Sequence, residues 1–492
     1  MVAVSVGLLA GPVGARTVGI FSDESLARPE PGAPLDSPQA AALRDIQALF
    51  MSGRFDETEL RARALTQSAP DLPEGWYMLG LALANLDRAD DALAALRRSA
   101  DLYKANAQPL VISGDLLRSL GRVDEARAAY QEAAARDAGN WLAFDGLARL
   151  AEARGDRDEA IRNYRLAVDQ APKANPTAIL HLGLALLGAD RSAEALAALA
   201  PAAGRDDAPP AILELAARAA SETGDAPGAR AYLERIAAGG KSPAGRLGLA
   251  RAALEANDLA AAETQLTQAQ NEFPQSAAVA LLLGNVYGAT RRYELALAAY
   301  SGGLKAAPED PALIKAASMA EMRLGRLDAA VAHAAGLAGR DGATAADLTW
   351  LGTLQEMQGQ LDAARQSYGK AIALKADDWL ALNNLAALTI PGDPAQGLAL
   401  AERASKLAPD VAAVSETLAW AAFKAGDATR AAALYEPLHR AAPGDPVVSY
   451  RLGLVRFSQG RKDDGRALIR LSLASDPTFR YADEARRLLA DP

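Results

Sequence analysis

The side chains best suited to chemistry in this chain are sparse and far apart. Its three histidines, His181, His333 and His439, each lie more than a hundred residues from the next. A metal site needs imidazoles at i, i+4 on a helix or in a His-x-His pair, so that two nitrogens reach one ion. Neither arrangement occurs. The absence of cysteine from all 492 residues excludes disulfides, thiolate zinc sites, iron–sulfur clusters and cysteine nucleophiles. Gly336, Gly339 and Gly342 form a Gly-x-x-Gly-x-x-Gly string, but no strand is predicted before it, as a dinucleotide-binding loop requires. That string is expected to be a flexible link. There is no Gly-x-Ser-x-Gly elbow and no Gly-x4-Gly-Lys-Ser/Thr phosphate loop. Paired carboxylates such as Asp90-Asp91 and Asp377-Asp378 fall at turns and helix starts, where they cap backbone N–H groups and complement the helix dipole. No catalytic residue, cofactor, small-molecule substrate or metal site is predicted, and the chain is not expected to be an enzyme.

Composition points to a different kind of object. Half of the residues are hydrophobic, mostly Ala and Leu, and aromatic residues make up only 5%; that is a helical composition with ample material for a core. The 61 acidic residues outnumber the 52 basic ones for a net charge of -9, which argues against nucleic acid as a partner.

What would position any functional side chain is a repeat. A short turn recurs at Gly53-Arg54, Gly121-Arg122, Gly155-Asp156, Gly224-Asp225, Gly325-Arg326, Gly359-Gln360, Gly426-Asp427 and Gly460-Arg461. The same slot is filled by Asp87-Arg88, Asp190-Arg191, Asn257-Asp258, Arg291-Arg292 and Gly392-Asp393, giving thirteen turns about 34 residues apart. Each period carries the same pattern around its turn. The eighth reads Leu283-Gly284, Tyr287, Arg291-Arg292, Ala296, Tyr300, Gly303 and Pro308; the fourth has Leu147-Ala148, Gly155, Ala160, Tyr164, Ala167 and Pro172. Small residues before the turn and five after it let two helices approach closely, and the Tyr or Leu four further on fills the space beside the next hairpin. The proline stops the second helix, because it has no N–H to donate and disfavours helix in the residue before it.

This pattern resembles the tetratricopeptide repeat, a 34-residue helix–turn–helix. The resemblance implies an all-α, right-handed solenoid of about thirteen hairpins over residues 39–479, with a capping helix over 480–492 to shield the last apolar face. Prolines and glycines shift the register near residues 200–245 and 336–344, where softer joints are expected. In this family the first helix of each repeat lines a concave groove that holds a protein segment, through the second, fifth, ninth and twelfth positions. Carried onto this chain, those positions supply Phe50, Met51 and Tyr77 near the start, and Glu416, Trp420, Phe423, Tyr450 and Phe457 near the end. Between them fall Asp115, Arg118, Asp145, Arg149, Glu152, Glu214, Arg218, Arg251 and Glu255. The rings have the character of recognition anchors, with gap-filling between hairpins as the other reading; the central charges are expected to be a solvated, self-paired surface. The Lys/Asn clamp of the heat-shock co-chaperones in this family is not recognisable around Asn85, Asn285 and Asn383.

Two further expectations concern location. Residues 1–22 begin with fifteen uncharged residues ending in Val13-Gly14-Ala15 and are expected to be a signal peptide or clipped export segment, although the usual basic start is missing. The alternative is a disordered or packed N-terminus. Residues 23–38 are a Pro-rich linker. Residues 379–390, 399–410, 415–420, 446–460 and 479–490 resemble bacterial envelope repeat proteins of exopolysaccharide and exosortase-type export systems. That resemblance implies a periplasmic scaffold, with membrane association only indirect or through an uncleaved N-terminus. The alternative is a cytoplasmic adaptor or regulator that binds a peptide motif.

Overall fold

The computed structural model describes residues 38–173 and 175–490, and among them are 27 α-helices and no strand. The predicted export segment and all of the linker except Pro38 lie outside the described residues. The helices pair into thirteen hairpins, from Pro38–Met51 with Phe55–Ser68 to Pro446–Ser458 with Lys462–Ser475, and Ala482–Ala490 comes after them as a lone helix. Residues up to Leu249 form one compact unit and residues from Ala250 another. Within each unit, helices pack chiefly on their sequence neighbours, and some successive first helices also touch, as Gln108–Ser119 touches Trp141–Ala153 in the first unit and Ala412–Lys424 touches Pro446–Ser458 in the second. The all-α solenoid arrangement is therefore present. The longest links between hairpins, 204–209 and 339–344, coincide with places where the register shifts.

The turns explain the period. At twelve of the thirteen slots the backbone is left-handed: eight glycines have φ between 74° and 93°, and Asp87, Asp190, Asn257 and Arg291 all have φ of 58°. This conformation lets the turn close by two backbone bonds. Arg54 N–H donates to the Leu49 carbonyl at 3.0 Å and Gly53 N–H to the Phe50 carbonyl at 2.9 Å, and the same pair recurs at each of the twelve. It satisfies carbonyls that the end of the first helix would leave unpaired. Glycine suits the slot because it has no Cβ to clash, whereas an ordinary L-residue is strained there. The eleventh turn falls where the sequence places it but takes another form. Gly392 fills its slot without positive φ: its own N–H bond to the carbonyl three residues back is kept, but Asp393 N–H does not reach the carbonyl five residues before it. The chain instead turns through bonds from Gly392 and Asp393 to the Thr389 carbonyl, and Ile390 is buried against the next helix.

The second recurring contact joins the two helices of a hairpin. A large side chain on the second helix fits over a small residue sixteen positions earlier on the first: Leu96 over Gly80, Tyr130 over Gly114, Leu199 over Gly183, Tyr300 over Gly284 and Tyr368 over Gly352. Ala148 and Ala419 take the small position beneath Tyr164 and Tyr435. Alanines five residues past the turns, Ala92, Ala126, Ala160, Ala296 and Ala364 among them, are buried at 0–4% exposure, so the backbones approach closely. Each tyrosine keeps its hydroxyl at the edge of this contact, where it reaches a polar group on the first helix. On the outside, consecutive second helices are joined by exposed ion pairs such as Arg88–Glu59 at 2.8 Å and Arg292–Glu263 at 2.6 Å. Pairs of this kind contribute at most about 1 kcal/mol each and weaken with salt.

Two substitutions test these features. A Cβ at Gly352 would stand 2.7 Å from the ring of Tyr368, which is fully buried and has nowhere to move. Gly352→Ala should therefore destabilise the chain by about 2 kcal/mol, read as a lower urea midpoint, despite the better helix propensity of alanine. Arg291→Gly should raise the midpoint, by about 0.5–1 kcal/mol, because relief of the left-handed strain exceeds the added freedom of the unfolded chain.

Candidate functional site

The rings predicted near the C-terminal end do not form one accessible row. Tyr450 is 1% exposed and lies beneath the cap: its ring centroid is 5.3 Å from Tyr481 and 5.7 Å from Phe479. It is a core residue of the last hairpin, which corrects its expected place in the groove. The cause is the capping segment, whose Phe479, Ala482 and Ala485 are buried against the same cluster. Trp420, Phe423 and Phe457 are half-buried, and the first two are in contact at 5.4 Å. The centre of this region is a residue outside the predicted set. Arg451 is 7% exposed; its guanidinium lies 4.2 Å from the centroid of the Trp420 ring, pairs with Glu416 and donates to the Tyr481 hydroxyl at 3.0 Å. Burial on its own would drive the Arg451 pKa down, but Glu416, Tyr435 and Tyr481 together more than offset it and hold the group cationic. Glu416 also accepts from the Tyr435 hydroxyl at 3.2 Å. It ties hairpins together.

Among the central charges two pairs meet within the set, Asp115 with Arg118 and Asp145 with Arg149. Asp115 accepts from the Tyr130 hydroxyl at 2.8 Å, with Arg118 at 3.9 Å, and Glu152 accepts from the Tyr164 hydroxyl at 2.7 Å. Arg218 pairs with Glu222 at 2.8 Å. Asp145 is the exception to a solvated row, being 1% exposed and held between Arg149 and His181, whose Nδ1 is 2.6 Å away. The histidines are not brought together: His333 meets Glu321 at 2.8 Å and His439 meets Ser449 at 3.2 Å, each in its own hairpin or the next. Among the described residues no group of three or more His, Asp or Glu could hold a metal ion. The glycine string is only in part the expected link: Gly336 lies inside the helix Leu327–Ala338, Gly339 ends that helix, and Gly342 has φ of 79° in the link.

The first zone is the one that encloses space. Phe50, Met51 and Tyr77 line a cavity of about 890 Å³ with Met78, Tyr103 and the carboxylates Glu74 and Asp137. Phe50 itself is 6% exposed and braced edge-on by Phe55 at 5.4 Å, so it forms the floor; Met51 is 71% exposed at the rim. Burial raises the Tyr77 hydroxyl well above its ordinary pKa, so the phenol stays neutral. Tyr103, Asn106 and Asp137 sit on the links between hairpins. A search restricted to inward positions of first helices misses them; the signal available was a tyrosine and an asparagine in the unusually polar link at 103–106.

Tetratricopeptide-repeat models match residues 43–107, 113–175, 220–286, 392–446 and 422–491, together more than half of the chain. The chain belongs to the tetratricopeptide repeat family. Solved structures with a related fold include the APC/C hetero-tetramer Cut9–Hcn1, 17% identical over 92% of this chain and 97% of that one, with a TM-score of 0.43. A tetratricopeptide repeat protein from Parabacteroides merdae is 17% identical over 50% of this chain and 98% of its own, with a TM-score of 0.40. Naa15/Naa10 bound to HypK-THB is 16% identical over 88% of this chain and 68% of that one, with a TM-score of 0.33. No curated protein matches the sequence.

The polar row gives a pH signature. Burial raises the Asp115 pKa, an effect only partly offset by the Tyr130 hydrogen bond and by Arg149 and Arg118. A carboxyl whose folded pKa lies above its unfolded one contributes stability at low pH that is lost as pH rises through the folded value. Asp115→Asn, which still accepts the tyrosine hydrogen bond, should thus raise the urea midpoint at pH 7. The advantage should shrink as pH falls through the carboxylate range.

Proposed function

We propose that this chain is a non-catalytic scaffold that captures a protein segment against its first helices, in support of an export assembly of the bacterial envelope. The observation that carries the scaffold reading is how completely repeats occupy the chain: hairpins and their cap account for the described residues from 38 to 490. The fold is generally a non-catalytic binding scaffold, and its members typically bind protein partners. The cavity lined by Phe50, Met51 and Tyr77 supports the N-terminal hairpins as the principal seat, since an enclosed, ring-lined space desolvates an anchoring side chain. Trp420, Phe423 and Phe457 offer a second, shallower contact. Tyr450 and Glu416 act there as supports, one buried and the other paired.

The envelope part of the proposal is supported by the sequence likeness of the last third to envelope repeat proteins and by the uncharged run at residues 1–15. No helix among the described residues is long and apolar enough to cross a membrane. A preformed surface of this kind loses little entropy on binding, so its work is equilibrium recognition.

Affinity capture with the intact chain in a bacterial lysate, identified by mass spectrometry, should recover a defined protein partner. Met51→Asp, at an exposed rim position, should reduce that recovery by about tenfold or more, with helicity unchanged by circular dichroism. A smaller loss is expected from Trp420→Ala with Phe457→Ala. Full recovery by both variants would place binding elsewhere. Fractionation of tagged full-length protein tests location: a wholly cytosolic distribution would remove the envelope role and leave the cytoplasmic adaptor.

A further inference from the structure

The N-terminal cavity has a chemical bias that sets it apart from the first helices further along. There, buried or half-buried carboxylates are matched: Asp145 has Arg149 and His181, Glu321 has His333, Glu416 has Arg451. In the cavity the lining contains Glu74 and Asp137 but no Arg, Lys or His among the described residues. Glu74 Oε2 is shut off from solvent and has no hydrogen-bond partner among them. An ionised oxygen in that condition is costly, and a cation drawn against the carboxylate offsets that cost. Asp137 accepts the Gly139 N–H at 2.9 Å and pairs with no cation among the described residues. The adjacent Arg136 is committed elsewhere, to Glu132 at 2.6 Å and to the Ala100 carbonyl at 2.5 Å.

The remaining walls define what must flank that donor. Phe50, Met51, Met78 and Tyr77 are apolar or carry a neutral phenol, and aromatic faces attract a cation as well as aliphatic side chains. A volume of about 890 Å³ accommodates several side chains of one short segment. Resting on the scaffold reading above, we infer that the cavity selects a partner segment bearing an arginine or lysine between apolar residues, with Glu74 and Asp137 receiving the cation. This selection differs from the loose attraction of cations by an acidic chain, because it depends on two particular carboxylates and not on net charge.

The test uses the full chain and fluorescein-labelled nonapeptides of Ala, Val and Leu that differ only at the central residue, Arg, Gln or Glu, with affinity read by anisotropy. The Arg peptide should bind about tenfold or more tightly than the Gln peptide, and the Glu peptide most weakly. In E74Q, and separately in D137N, the Arg-to-Gln ratio should fall toward one. Equal binding of the Arg and Gln peptides, or a ratio unchanged in both variants, would overturn charge selection while leaving capture of an apolar segment intact. Failure of all three peptides to bind would overturn this inference and the N-terminal seat together. A fourth peptide, residues 12–21 of this chain, carries Arg16 between apolar residues; if it bound tenfold tighter than the others, the occupant would be the chain's own segment and not a partner.

Discussion

The structure depends on one contact made repeatedly: a large side chain of the second helix seated over a residue of the first helix that has little or no side chain. Because Gly114, Gly284 and Gly352 offer no Cβ, the rings of Tyr130, Tyr300 and Tyr368 can lie flush against helical backbone. That closeness sets the separation within a hairpin and presents the other face of each ring to the next hairpin. Tyr130 illustrates both roles, since its ring also packs over Gly146 of the next repeat. The left-handed turn is the necessary partner of this contact. It reverses the chain within three residues, which brings positions sixteen apart into register.

Under this constraint the two ring-bearing regions differ in kind. At the C-terminal end the last described hairpin is packed against the helix Ala482–Ala490. Tyr450, Phe479, Tyr481 and the buried Arg451 pack together there, so Tyr450 is consumed by closure while Trp420, Phe423 and Phe457 stay half-buried. Near the start, Phe50, Met51 and Tyr77 face an enclosed volume, and the links at 103–107 and 137–140 wall it in. One region spends its most buried ring on the fold, and the other lines a cavity.

Fold and period were legible because they rest on backbone requirements that few residues meet. Gly at a left-handed slot, Ala five residues later and a large residue after that form a local grammar that Gly325, Ala330 and Ala334 obey even with the large residue replaced. Where a proline intervenes, as at Pro391, the grammar gives the place of the turn but not its form. The site was only half legible. Inward positions on helices come from the repeat, so Phe50, Met51 and Tyr77 could be named. Whether a ring at such a position is open depends on the residues packed above it, which belong to another hairpin or to the cap. Tyr450 reads as a groove residue because nothing in its own repeat shows that Tyr481 stacks upon it. Tyr103 and Asp137 lie on links, outside the frame, and the shut-off oxygen of Glu74 is visible only once its surroundings are known.

In each unit the described helices pack mainly on their neighbours in sequence, so no long-range strut among them connects one part to another. A ligand held by residues 47–140 therefore secures those hairpins and few others. Occupancy should leave a local imprint: amide hydrogens of the first three hairpins exchange more slowly and protease cleavage retreats from their links, while hairpins further along the first unit keep the fluctuations they had when empty. The same architecture that offers a long surface thus also confines news of what is bound to it.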